Sequence, residues 1–193
     1  MELVQPIRDT KKISDIKSRL LDNRECGARN YLLFVLGINS GLRISDLLGL
    51  TLRDVMTSNG KAQDSIILHE KKTGKRKQFN VNKAAAKAIQ DYAATLKHID
   101  LDMVLFASRK GRDKPITRQH AWQILNDAAE WVGIKDQIGT HSLRKTFGYH
   151  AYQAGVPLER LQIIFNHSSQ RETLCYIGVT QDDIDDVYNM VNL

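Results

Sequence analysis

The sequence predicts one mainly α-helical domain with a small antiparallel β-sheet set into it. Three observations lead there. Apolar residues recur three and four positions apart through most of the chain, the spacing of helices with one buried face. That period changes to alternation in SIILHE and KQFNVN, which flank the loop KKTGKRK and read as two short strands joined by a turn at Thr73-Gly74. The 193 residues also lack an internal repeat, a low-complexity tract or an interdomain linker, and this length supports one domain with a sizeable core.

In chain order, residues 1–8 are extended, with Pro6 interrupting. KKISDIKSRLLDN then sets Ile13, Ile16, Leu20 and Leu21 at helical spacing, with Asp9 or Thr10 to cap its start. ARNYLLFVLGINS is apolar enough to lie in the core. Ser40-Gly41 turns the chain into GLRISDLLGL, where Leu42, Leu47, Leu48 and Leu50 can bury while Arg43 is presented from the turn. Asp46, three residues on, is placed to orient that arginine. After the two strands, residues 83–98 form an Ala-rich helix, and LDMVLFASRKGRDKPITRQ runs from a short apolar segment into an exposed basic loop. Thr117 caps RQHAWQILNDAAEWV, whose apolar face holds Ala121, Ile124, Leu125, Ala128 and Val132, and Gly133 ends it. HSLRKTFGYHAYQA follows, with Thr140 as N-cap and Gly155 as its stop. LERLQIIF starts just after Pro157, and TQDDIDDVYNMVN is amphipathic, with Ile184, Val187, Tyr188 and Val191 on one side.

The net charge is +6, but its sign is unevenly spread. No Lys or Arg follows Arg171, whereas Asp182, Asp183, Asp185 and Asp186 are acidic. Setting those four aside from the 22 acidic residues leaves 18 against 28 basic ones, a net of +10 over residues 1–176. A basic body of this kind suits a polyanionic partner. Cys26 and Cys175 offer neither a metal spacing nor a disulfide framework. MELVQPIRD has no signal-peptide character and no run reaches transmembrane length, so a cytoplasmic protein with no membrane partner is expected.

The chemistry is concentrated between His141 and Tyr176. His141 and Arg144 are three apart, near the start of a helix, where backbone N–H groups and the helix dipole already favour an anion. A guanidinium fork and an imidazole there make a seat for phosphate. Tyr176 lies nine positions after His167, and a tyrosine beside two histidines and an arginine suggests a nucleophile attacking phosphorus. A zinc site from His141, His167 and Cys175 is disfavoured, because its spacings match no familiar cluster and the arginines would repel a cation. No metal and no cofactor are expected.

HSLRKTF resembles the His-x-x-Arg box of the tyrosine recombinases, the phage integrase family. FNHSSQRETLCY resembles their second His box and nucleophile, and SGLRISDLLGL their first arginine box. One departure is Asn166, where the family usually carries Gly. Asn also tolerates a left-handed turn. The resemblance implies the fold of the DNA breaking-rejoining enzymes and a catalytic set of Arg43, Lys72, His141, Arg144, His167 and Tyr176, cleaving DNA through a 3′-phosphotyrosine without metal. It places the catalytic lysine in a Lys-Thr-Gly hairpin, here Lys72, with Lys75 as the rival assignment.

Lys71, Lys75, Arg76 and Lys77 in the hairpin, and Arg109, Lys110 and Arg112 in the second basic loop, are the expected DNA contacts. The expected partners are double-stranded DNA and further copies of the chain, a tetramer in the synapse and a monomer when isolated. Residues 1–193 are expected to form a single catalytic domain without the family's amino-terminal core-binding domain, residues 180–193 docking on a neighbouring copy. Two rival readings share these residues: a type IB topoisomerase that relaxes DNA, and a non-catalytic DNA-binding regulator.

Overall fold

The computed structural model describes residues 4–23, 25–109, 111–136, 138–139, 141–179, 185 and 188–191, without the side chains of Arg112 and Asp113. Helix α1 (Thr10–Leu21) begins at Asp9, whose carboxylate accepts from the Lys11 and Lys12 N–H groups, so Asp9 rather than Thr10 is the cap. Helix α2 (Gly27–Ser40) carries five consecutive buried residues, Leu32 to Leu36, and is therefore covered on every side. It stops at Gly41, which takes the left-handed conformation (φ 60°) that glycine adopts without penalty. Two single-turn helices follow, α3 (Ile44–Leu47) and α4 (Leu52–Val55), the second closed by a reciprocal Thr51–Asp54 capping box.

Strands β1 (Ser65–His69) and β2 (Arg76–Asn80) pair antiparallel, Ser65 opposite Asn80 and His69 opposite Arg76. The turn is made at Gly74 (φ 67°), as Thr73-Gly74 led one to expect. Helix α5 (Lys83–Ala93) is capped by Asn82 and ends five residues short of the expected 98. A second two-stranded ribbon, β3 (Ala107–Ser108) with β4 (Gly111–Pro115), occupies the segment read as a basic loop. Helix α6 (Arg118–Trp131) starts at Thr117, whose hydroxyl accepts from the His120 N–H.

Helices α7 (Ser142–Gln153), α8 (Leu158–Phe165) and α9 (Gln170–Ile177) complete the described elements. His141 holds the N-cap position of α7. The expected cap, Thr140, lies outside the described residues. Most of the C-terminal helix expected over 180–193 also lies outside them. Asp185 and residues 188–190 are helical, and Tyr188 and Val191 are exposed.

Three apolar clusters hold these pieces. The largest joins α2, α3, α4, the first hairpin and α5. A second packs α1 and α6 on α2, with Ile7, Ile138 and Leu143. The third is small: Leu161, Phe165 and Ile177, flanked by Phe147, Ile164 and Tyr176. Gly148 permits it, since a Cβ there would lie 2.6 Å from Ile177 and 2.7 Å from Phe165. Among the described residues no helix is long and apolar enough to cross a membrane.

Candidate active site

Arg144 sits one turn into α7 and is 2% exposed. Its Nη1 donates to Gly41 O and its Nη2 to Phe165 O, both at 2.7 Å, and its guanidinium lies 4.7 Å from the Phe165 ring centroid. Those two carbonyls end α2 and α8, where the helix dipoles are negative. One guanidinium thus joins two helix ends and still keeps N–H donors in reserve.

Arg43, two residues past the Gly41 turn, is the N-cap of α3. Its partner is Glu70, not Asp46 as expected: Arg43 Nη1 stands 2.7 Å from Glu70 Oε2. The reason is geometric. Asp46 Oδ1 is engaged by the Lys71 N–H at 2.9 Å, which draws the aspartate to the hairpin, while β1 delivers Glu70 to the arginine. The Arg43–Glu70 approach is a charge contact out of hydrogen-bond alignment, leaving Arg43 Nη1, Glu70 Oε1 and Asp46 Oδ2 buried without hydrogen-bond partners. Burial pushes the Glu70 carboxyl upward, but Arg43 and the Thr73 hydroxyl (2.8 Å) outweigh it and hold it below the usual range.

The turn after α8 places His167. Asn166 caps that helix in the left-handed region (φ 53°). Two hairpin lysines reach this turn: Lys75 Nζ donates to Asn166 Oδ1 (2.8 Å) and Lys77 Nζ to Ile164 O (3.1 Å). His167 Nδ1 lies 3.1 Å from Thr173 Oγ1, whose own hydrogen is directed to Ser169 O (3.3 Å). Nδ1 is therefore the donor, and Nε2 is left to accept when the ring is neutral and to donate when it is charged.

Tyr176 follows on α9, which Ser169 caps by accepting from the Glu172 N–H. Its ring packs on Phe165 (5.4 Å) and edge-on against His167 (4.9 Å), and its hydroxyl stands 3.4 Å from His141 Nδ1. Burial raises the phenol pKa, while the charges of Arg144 and Arg43 oppose the rise. Burial lowers the pKa of both His141 and His167, and the same two arginines add to that. Lys77 falls to about 8, through burial first and Arg144 next.

Five of the expected catalytic residues therefore meet in one place: Arg43, His141, Arg144, His167 and Tyr176. Lys72 is at the exposed hairpin tip and makes no hydrogen bond or ion pair among the described residues. Of the expected DNA contacts, Lys71, Lys75 and Arg76 are exposed, Lys75 with its Nζ on Asn166, whereas Lys77 is half-buried and turns inward. Arg109 pairs with Glu25 at 2.9 Å, and Lys110 and the Arg112 side chain lie outside the description. Glu70 was not foreseen, Lys77 was expected only as a DNA contact and not beside Arg144, and Lys145 was not foreseen. Lys145 Nζ stands 5.3 Å from the Tyr176 ring centroid. Strand parity carries the signal for the first two: Ile66, Leu68 and Glu70 share one face of β1, and Lys77 and Phe79 the matching face of β2.

The arrangement sets a tyrosine beside two arginines and two histidines, a set of groups able to seat a phosphate. The sequence profile of the Phage integrase family matches residues 11–182. YoeC of Bacillus subtilis, a "probable integrase/recombinase", is 42% identical over 94% of this chain and 93% of its own length. Tyrosine recombinase XerD of Mycobacterium leprae is 30% identical over 83% of this chain, which spans only 51% of XerD. In fold, the chain resembles the XerH site-specific recombinase bound to palindromic difH substrate, with a TM-score of 0.70 at 17% identity, covering 97% of this chain and 53% of XerH. The chain belongs to the phage integrase family of tyrosine recombinases.

Proposed function

We propose that this chain is the catalytic domain of a site-specific recombinase that cuts and rejoins double-stranded DNA through a 3′-phosphotyrosine at Tyr176. The observation that carries this reading is the Tyr176 hydroxyl 3.4 Å from His141 Nδ1, with the Arg144 guanidinium 6.0 Å from its ring centroid, all in the same chain. Arg43 and Arg144 grip the non-bridging oxygens of the scissile phosphate, and their charge survives at any working pH. The phenol is protonated at neutral pH, so its proton must leave as oxygen attacks phosphorus. His141, kept neutral by burial and by neighbouring cations, accepts it or holds the phosphate. His167, once protonated beside the bound phosphate anion, donates from Nε2 to the charge that develops, because its Nδ1 is already committed to Thr173. The P–O5′ bond breaks, and Lys72 protonates the departing oxygen. Reversal by a second DNA 5′-hydroxyl rejoins the strand.

The test is nicked suicide DNA followed by a denaturing gel. The wild-type chain is expected to become covalently attached, with or without a chelator, and Tyr176→Phe to bind DNA without attachment. An adduct in that variant, or one abolished by EDTA in the wild type, refutes the mechanism.

A further inference from the structure

The chemistry above leaves the buried Glu70 carboxylate unused. It is 2% exposed and directly follows β1, in line with the inward-facing Ile66 and Leu68. A carboxylate beside Arg43 weakens that arginine's attraction for phosphate, and a buried ion costs free energy unless its geometry contributes something. Its geometry is specific. Both of its contacts run through a single atom: Oε2 lies 2.7 Å from Arg43 Nη1 and accepts from Thr73 Oγ1 at 2.8 Å. Thr73 directly follows Lys72, whose side chain has no tether of its own among the described residues. The next backbone group along, the Lys71 N–H, is fixed on Asp46. The start of the hairpin loop is thereby fastened to α3 at two points, and Glu70 is the one that also holds the arginine.

We infer that Glu70 is a positioning residue that couples Arg43 to the Lys72 turn, so that one oxygen sets both the phosphate grip and the leaving-group acid. The inference rests on the strand-cleavage reading of the site. Glu70 touches no reacting atom, and its effect passes through its two partners. Because the partners do different chemistry, the two links can be cut separately. Thr73→Val removes only the hydrogen bond to the turn. Glu70→Gln retains an acceptor for Thr73 but takes the opposing charge from Arg43.

The experiment uses the full chain and suicide DNA whose 5′-bridging atom at the scissile phosphate is either oxygen or sulfur. Single-turnover rates are read with DNA affinity by mobility shift, and a thermal melt confirms folding. Thr73→Val is expected to slow cleavage of the oxygen substrate about tenfold, the scale of a misplaced catalytic group, with affinity unchanged. Sulfur, which leaves without a proton, returns it to the wild-type rate. Glu70→Gln is expected to slow both substrates alike, because without the ion pair the Arg43 guanidinium is no longer held in place, and a better leaving group does not repair a misplaced phosphate grip. Wild-type rates in both variants, or an identical response of the two to sulfur, overturn the coupling while leaving the cleavage reading intact. A wild-type chain that forms no adduct on either substrate overturns that reading, and the coupling with it.

Discussion

Half-buried between the hairpin and the end of α8, the Lys77 ammonium has its pKa drawn down to about 8, by burial and then by Arg144. The unfolded chain holds that proton to about 10.4. Between these values the unfolded state binds a proton that the folded state has lost, so stability rises with pH through this window. Urea melts at pH 7.5 and 10 are expected to show wild type gaining about 2 kcal/mol relative to Lys77→Met, below the full value of the shift because the group is partly exposed. A constant difference would mean that the ammonium is not perturbed. Lys72 stands apart from this buried group at the exposed hairpin tip, without a hydrogen bond or ion pair among the described residues. Lys72→Ala is expected to cleave ordinary DNA very slowly and to recover on a 5′-bridging sulfur substrate. Selective recovery by Lys75→Ala instead would move the acid to Lys75, despite its bond to Asn166.

The first hairpin shows most plainly what could be read from the sequence and what could not. Alternation and Thr73-Gly74 placed both strands and their turn, because period and turn chemistry are local properties. The caps at Asp9 and Thr117 were legible for the same reason. The β3–β4 ribbon was not: β4 is Gly-Arg-Asp-Lys-Pro, with no apolar alternation, and its pairing depends on the fold around it. The early end of α5 likewise left no sign in the sequence. In the site, the boxes identified Arg43, His141, Arg144, His167 and Tyr176, but the partner of Arg43 depends on where a distant strand delivers Glu70. The two faces of the hairpin also differ in what they offer DNA. Arg76 is exposed and, among the described residues, reaches Gln78 alone, while Lys77 is tied to Ile164 O. Arg76→Gln is expected to reduce the slope of log affinity against log salt by about one counterion's worth, and Lys77→Met by less. Equal changes would show that the inward face also meets phosphate.

On the scale of the molecule, Tyr188, Met190 and Val191 are exposed apolar residues, and we propose that a neighbouring copy on DNA covers them. Deletion of residues 180–193 is expected to preserve first-strand cleavage at a single site and to abolish cooperative assembly on two sites. Truncated protein that assembles on paired sites as well as the intact chain does would return this segment to packing in cis. The third apolar cluster bears on activity in another way. Leu161, Phe165 and Ile177 are its only fully buried members among the described residues, whereas α2 is enclosed by two larger clusters. Among the described residues, helix α9, which carries the tyrosine, is therefore anchored by fewer buried side chains than α2. In amide hydrogen exchange, the N–H groups of Gln170–Ile177 are expected to exchange through partial opening well before those of α2. Ile177→Ala, a loss of about 2–4 kcal/mol, would then fall mainly on that opening equilibrium. It would produce a chain that stays folded and keeps both arginines in register, yet presents its nucleophile only a fraction of the time.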